Sequence, residues 1–544
     1  MLNDAQRKHY SLLYPELADD IEKFDIGSVE YFAYYLYKLP QEFSSRLRKA
    51  YFKRPTIRER NIFIRDLSDR IFSDVPTFVR NLNADQSDIR LWANQQSENC
   101  LRMMRNTPYT YTGKSGKKIP YTEKQQNTEK LYTRMASYTR SLNLEPPEPN
   151  SMVTIEGCIR RMTDASWWMR RIKTSLKQAR ENTAINLNIV SKNRDIYCSS
   201  LTAKARQTEK AMEKEFLKNS FRENENGERV SLFDLSQTTV ANPVNRRNEM
   251  MIRIRGFENQ ADKLNHEALF LTLTCPSKYH NNYARSGKAN PKWMGATPKQ
   301  AQSYLTNLWA RIRAKLNRDG IMIYGMRVVE PQHDGTPHWH LLVFLPPSQV
   351  EAFSQIFRHY ALLEDGDESG AQENRCDITR IDKSRGSASG YIAKYVAKNI
   401  DGAHLETGTY GESVNITVMH VEAWASCWSI RQFQQQGGPP VSPYRELRRV
   451  RHEQPEDSPF EIPRQAADKG DWCGYLEAMG GLFVKRKDLK LKLDYEIEVD
   501  EETGEIKSTK YDCNISRKLT GLKAGNERLK TRFHTWRPVS LGAD

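Results

Sequence analysis

The chain has 544 residues, more than the roughly 250–300 that one hydrophobic core organises, so two or three domains are expected. Its 83 Lys and Arg against 68 Asp and Glu leave a formal net charge of +15. With a mean hydropathy of −0.75, this argues against a membrane-embedded protein and for a polyanionic partner, nucleic acid first. The eight cysteines, scattered from Cys100 to Cys513 without C-x-x-C spacing, point to a reducing cytosol and away from a zinc-finger pattern.

In chain order, residues 1–245 read as mostly helical. Amphipathic stretches such as SVEYFAYYLYKL (28–39) and SWWMRRIKTSLKQA (166–179) are interrupted by the polar loop TYTGKSGKKIPYT (110–122). The opening MLNDAQRKHYSLLYPEL holds no apolar signal core, and no run nears the roughly 18 apolar residues of a bilayer span, so a cytoplasmic location is expected. GKSGKK (113–118) invites a nucleotide-binding reading, but Pro108 stands where a phosphate loop needs glycine. It is read as a basic loop.

From 246 to 435 strands and helices alternate. ALFLTLT (268–274), IMIYGMRVVE (321–330), HWHLLVFL (338–345) and CDITRID (376–382) read as strands. Helices are expected at 298–316, 348–363 and 391–400. The short connection through Asp334 and Gly335 implies an antiparallel hairpin. The order β-α-β-β-α-β-α describes an α+β domain, one antiparallel sheet with helices mainly on one face. Residues 436–544 form a basic C-terminal region. QQQGGPP (434–440) breaks the chain before it, and YEIEVDEETGEIKSTKYD (495–512) reads as a β-hairpin around Thr503 and Gly504.

His338 and His340 flank Trp339 on a strand, so both imidazoles leave one face. Glu330, at the end of the preceding strand, folds back beside His338 across the hairpin. Two imidazoles and a carboxylate make a three-ligand site with open positions, suited to Mg²⁺ or Mn²⁺ acting on a phosphate. His333, in the connecting turn, competes with Glu330 as third ligand; its plainer reading is a solvent-exposed turn histidine. On the helix at 391–400, Tyr391, Lys394, Tyr395 and Lys398 share one face, and the apolar residues share the other. The apolar side is expected on the sheet and the tyrosines outward. A phenol near pKa 10 is a poor nucleophile at neutral pH, so Lys394 and Lys398 would supply charge that favours phenolate, or else hold the DNA backbone.

Three motifs occur in order: the strand FLTLT (270–274), the pair in EPQHDGTPHWHLLVF (330–344), and the helix YIAKYVAKN (391–399). The set resembles the HUH endonucleases and, within them, the replication gene A proteins of tailed phages. YFKRPTIRERNIFIRDL (51–67) and VEAWASCWSIRQFQQQGGPPVSPYRELRR (421–449) extend the resemblance over most of the chain. It implies a ferredoxin-like (RRM-like) nuclease core with His338 and His340 as metal ligands and Tyr391 and Tyr395 as nucleophiles. It also implies a DNA-nicking initiator of rolling-circle replication in the cytoplasm of a bacterial host. The expected partners are single-stranded or locally melted origin DNA, guided by Lys278 and neighbours such as Tyr279, and a host replicative helicase. Arg445, Arg448, Arg449 and Arg451 are expected on duplex flanks, and residues 1–245 on DNA or the origin. The competing readings are an HUH transposase or plasmid initiator with the same chemistry, and a non-catalytic single-strand-binding protein.

Overall fold

The computed structural model describes residues 4–107, 121–500, 503–512 and 514–539; the basic loop at 113–118 lies outside them. Two compact units result, one of residues 1–189 with 498–516, the other of 190–497 with 517–544. The three consecutive regions expected from the sequence are thus replaced by two interleaved ones. Residues 190–245 and most of the C-terminal region belong to the sheet unit, where Ile196 and Tyr197 pack with Val421 and a core of residues 441–491 takes in Leu522.

The first unit is helical, as its sequence pattern predicts. Thr56 and Glu59 form a reciprocal capping box at the start of Ile57–Phe72, and Asp85 with Asp88 does the same for Gln86–Arg105, each cap satisfying amides that have no helical partner. Helix Ala165–Asn186 buries Trp167, Trp168, Ile172 and Leu176. Ribbon 498–516 belongs to this unit: Arg161 grips Asp512 with both guanidinium nitrogens (3.1 and 2.8 Å), and Lys510 and Tyr511 bind Asp164. The hairpin turn at Thr503 and Gly504 is present, with Gly504 at φ 70° and Asp500 N donating to the Glu505 carbonyl.

The second unit is built on a five-stranded sheet. Its elements are α1 (Pro243–Lys263), β1 (Glu267–Thr274), α2 (Pro298–Arg318), β2 (Tyr324–Pro331), β3 (Pro337–Leu345), α3 (Val350–Leu362), β4 (Cys376–Arg380), α4 (Ala388–Lys398), α5 (Val414–Trp428) and β5 (Phe433–Gln436). The order β4-β1-β3-β2-β5 is antiparallel at every pairing. Strand β5 was not read from the sequence, where FQQQ lacks apolar alternation. Gly325 permits close approach in the sheet, since at φ 144° a Cβ there would meet the Leu342 carbonyl.

Helices cover both faces, not mainly one. Every residue of β2 is buried, and every residue of β3 except His338, the pattern of strands enclosed on two sides. On one face Phe270, Met326, Leu342 and Phe344 meet Ile254 and Phe257 of α1 and Ile392 and Val396 of α4. On the other lie Leu269, Leu271, Trp339, Leu341 and Val343, all buried, beneath α2 and α3; the Trp339 indole donates to Gln302 (2.9 Å) and lies under Arg327. Each such large apolar side chain contributes about 1.5–3 kcal/mol by leaving water.

Beyond β5, α6 (Val441–Leu447), α7 (Glu461–Asp468) and α8 (Trp472–Ala478) enclose a second core around Tyr444, Trp472 and Tyr475. A three-stranded sheet of β6 (Lys492–Ile497), β7 (Arg517–Ala524) and β8 (Glu527–Lys530) adds Leu522 to it. Among the described residues no helix is long and apolar enough to cross a membrane.

Candidate active site

Strand pairing assembles the site. The β2–β3 register sets Glu330 directly opposite His338 and Val328 opposite His340, while β1 sets Thr272 against His340 and Thr274 against His338. Glu330, His338 and His340 therefore leave the same face, at the end where the apolar contacts with α1 and α4 stop. The two imidazole centroids are 4.5 Å apart, and Glu330 Oε1 lies 3.1 Å from His340 Nε2. Thr274 Oγ1 is 3.1 Å from His338 Nδ1 and Thr272 Oγ1 is 3.4 Å from His340 Nδ1, so both rings are oriented through Nδ1. The Gln332 amide also reaches His338 Nδ1, at 3.0 Å.

Helix α4 closes the site, in an orientation that differs from expectation. Tyr395 does not point outward: its ring lies 3.8 Å from that of His340 and 5.3 Å from that of Phe270. Tyr391, one turn earlier, packs partly buried against the same core, 6.5 Å from the Phe270 ring. A tyrosine ring is itself apolar, so it joins the covered face and leaves only its hydroxyl to seek polar surroundings. Lys398 is buried as well. Its Nζ sits 3.2 Å from Glu330 Oε2 and donates to Thr409 Oγ1 at 3.0 Å. Lys394 stays exposed, its Nζ 4.8 Å from the Tyr395 ring centre.

Loop 402–412 supplies the remaining wall. A cavity of about 470 Å³ is lined by Glu330, His338, His340, Lys394, Tyr395 and Lys398 on one side and by Leu405, Thr407 and Thr409 on the other. Glu412 anchors the loop, accepting from the hydroxyls of Tyr197 and Thr417 and from the Tyr410 amide. Thr272, Thr274, Gln332, Thr409 and the Gln432–Asn399 pair behind Glu330 were not read from the sequence.

Charge states follow from these contacts. Burial alone would raise the Glu330 pKa, but Lys398 beside it and the His340 contact hold it well below the usual carboxylate range. His338 still touches solvent in the cavity, yet packing around the ring and the neighbouring His340 push it down to about 3, so it is a neutral imidazole. Burial, then the Glu330 charge, raise Tyr395 to about 12. Among the described residues no group of three or more His, Cys, Asp or Glu is preassembled as a metal cage.

His333 is not a solvent-exposed turn histidine. It is fully buried because its turn is held from three sides: the Trp424 indole donates to the Gly335 carbonyl, the Tyr197 amide to the His333 carbonyl, and His280 pairs with Asp334 at 3.1 Å. Its ring lies beside Tyr410 and outside the lining of the cavity. The residues proposed to bind DNA also lie outside that lining. Lys278 is clamped by Glu364 and Asp365, Arg445 by both oxygens of Glu249, and Arg449 lies 3.9 Å from Glu446, while Arg448 is exposed.

Residues 94–403 match the family model described as bacteriophage replication gene A protein. The "Replication gene A protein" of Escherichia phage 186 is 42% identical over 431 residues, covering 75% of this chain and 60% of that protein. The "Probable replication protein P12" of Pseudoalteromonas phage PM2 is 34% identical over 496 residues, 87% of this chain and 75% of that protein. A Salmonella paratyphi A protein named "Probable replication endonuclease from prophage-like region" is 32% identical over 403 residues, 69% of this chain and 50% of that protein. The chain thus spans three fifths of the phage 186 protein and half of the Salmonella one. No solved structure matches it.

Proposed function

The chain belongs to the bacteriophage replication gene A protein family, and from that premise we propose that it is a site-specific single-strand DNA endonuclease and strand transferase of the HUH type. It starts rolling-circle replication by opening one strand at an origin. The observation that carries this reading is the Tyr395 ring packed on His340, in one cavity with His338 and Glu330. The β-α-β-β-α-β order with strands arranged 4-1-3-2 supports a ferredoxin-like core. A family of phage replication proteins favours this reading over a transposase or plasmid initiator.

The phenolic oxygen of Tyr395 or Tyr391 attacks the scissile phosphorus, a bond to tyrosine forms, and the bond to the 3′ oxygen breaks. The 5′ phosphate stays on the protein as a phosphodiester, and the leaving oxygen takes up a proton to become the 3′ hydroxyl that primes synthesis. Because one phosphodiester replaces another, rejoining needs no ATP. Tyr395 is protonated at neutral pH, so its proton must be drawn off as the strand binds. Lys394, over its ring, favours the phenolate. Lys398 keeps Glu330 ionised and in place. The donor set of His338, His340 and ionised Glu330 fits a divalent cation, and the threonines hold both rings by Nδ1. These three residues would hold Mg²⁺ or Mn²⁺, which when bound supplies positive charge to a phosphate oxygen. Strand separation is assigned to a host replicative helicase.

The test is incubation with supercoiled plasmid carrying the phage origin and Mn²⁺, followed by denaturing electrophoresis and mass spectrometry of the adduct. A denaturation-resistant protein–DNA adduct on Tyr391 or Tyr395 is expected, and Tyr391→Phe with Tyr395→Phe should abolish it. An adduct persisting in the double variant rejects the assignment, and an uncut plasmid leaves a binding protein only.

A further inference from the structure

The sheet of β6, β7 and β8 has one apolar and one basic face. Leu493, Leu522 and Leu529 lie in cross-strand register and pack on the α6–α8 core. Strand alternation therefore sets Lys492, Lys523 and Arg528, also in register, on the opposite face, together with Lys530 and Asp494. Four cations there meet one carboxylate. Buried Asp494 holds Lys523 at 3.7 Å and Arg528 at 3.6 Å, and Lys492 and Lys530 are exposed. Like charges directly opposite one another destabilise a sheet. Lysines on β6 and β8 guard the sheet edges, but edge protection gives no reason for Lys523 on the central strand. The exposed run Lys485, Arg486, Lys487 and Lys490 leads into the same sheet.

A second observation stands beside this face. Phe533 is 67% exposed, and Lys530 Nζ lies 5.9 Å from its ring centre. The residues before it are fixed: the Thr531 and Arg532 amides donate to the Thr520 carbonyl, and both side chains bind Glu446. The ring is thus an apolar surface presented to water from an anchored backbone.

We propose that this basic face and Phe533 form a docking surface for single-stranded DNA, with the cations on successive phosphates and the phenyl ring stacked on an unpaired base. A duplex presents phosphates but no free base face for Phe533. The proposal rests on the reading that the chain works on DNA, and it uses no group of the cavity.

The experiment is fluorescence-anisotropy titration of the 544-residue chain with a labelled oligo-dT and, separately, a labelled duplex, in EDTA across a salt series. Lys492→Gln with Lys530→Gln should reduce the magnitude of the slope of log K against log salt for oligo-dT by about 1.4, at ~0.7 per phosphate contact. Lys492→Arg with Lys530→Arg should keep the wild-type slope. Phe533→Ala should weaken oligo-dT binding about tenfold at fixed salt, leaving the slope and duplex binding unchanged. A wild-type slope in the Gln pair overturns the proposal, as does equal weakening on duplex and single strand in Phe533→Ala. Because EDTA stops cleavage, failure of the tyrosine chemistry leaves this result standing, and failure here leaves the adduct test intact.

Discussion

The two faces of the five-stranded sheet are made by the same strands, residue by alternate residue, and behave differently along their length. Under α2 and α3 the side chains stay apolar from Leu269 to Leu273 and from Trp339 to Leu345. Under α1 and α4 they begin apolar, at Phe270, Leu342 and Phe344, and turn polar at Thr272, Thr274, Glu330, His338 and His340. One face holds the fold together throughout, while the other gives up apolar packing at one end and carries charge there. The lesson is that a period-two sequence writes both roles into one strand, with chemistry where the apolar letters of one register run out.

The largest effect should come from the apolar face. Trp339→Ala removes a fully buried indole and should lower unfolding stability by about 3–5 kcal/mol, read from denaturant titration. A loss below about 1 kcal/mol would show that this face is not the supporting one. On the polar end, Lys398→Met strips the cation from buried Glu330 and should cost about 3 kcal/mol. Adding Glu330→Gln should restore much of that loss; simple additivity in this double-variant cycle would mean the pair is not coupled. Thr274→Val removes one contact to His338 Nδ1 and should cost about 1 kcal/mol in stability, while slowing adduct formation by about tenfold. Equal, small effects on both readouts would mean the threonine does not orient the ring.

A pH-dependent effect lies off the sheet and calibrates the others. Arg464 binds Glu461 through two nitrogens (2.7 and 2.6 Å) and holds its pKa at about 2, below the ordinary 4.5. The folded value is the lower one, so its stabilisation is present above about pH 4.5 and drains away as pH falls toward 2. Glu461→Gln should flatten the fall of melting temperature between those limits, and an unchanged acid limb would refute the linkage.

Much of the fold was legible because it rests on local patterns. Strand and helix positions agree to within a few residues, and the tight turn at Asp334 and Gly335 fixed the register that sets Glu330 against His338. The threonine partners were within reach, since the FLTLT alternation carries Thr272 and Thr274 on the face of Phe270. Seeing them beside the histidines needed the β1–β3 pairing, which is not local. The orientation of α4 runs against an amphipathic wheel, which scores tyrosine and lysine as outward-facing. Here Tyr395 packs its ring on His340, and Lys398 follows the Glu330 carboxylate inward. Burial of His333 was invisible because it depends on Trp424, Tyr197 and His280, distant in sequence.

The path of the backbone between the two units has a practical result for anyone dissecting the protein. The polypeptide passes from one unit to the other at 189/190, again at 497/498, and a third time at 516/517. A protease nick at 497/498 or 516/517 leaves the bulk of both units on one polypeptide, whereas a nick at 189/190 frees residues 1–189 but leaves the 498–516 ribbon with the second unit. A gene fragment begun at residue 190 would still encode the 498–516 ribbon, but with Asp512 deprived of Arg161 and Lys510 deprived of Asp164. Separating the units cleanly therefore calls for replacing that ribbon with a short linker between β6 and β7, not for simple truncation.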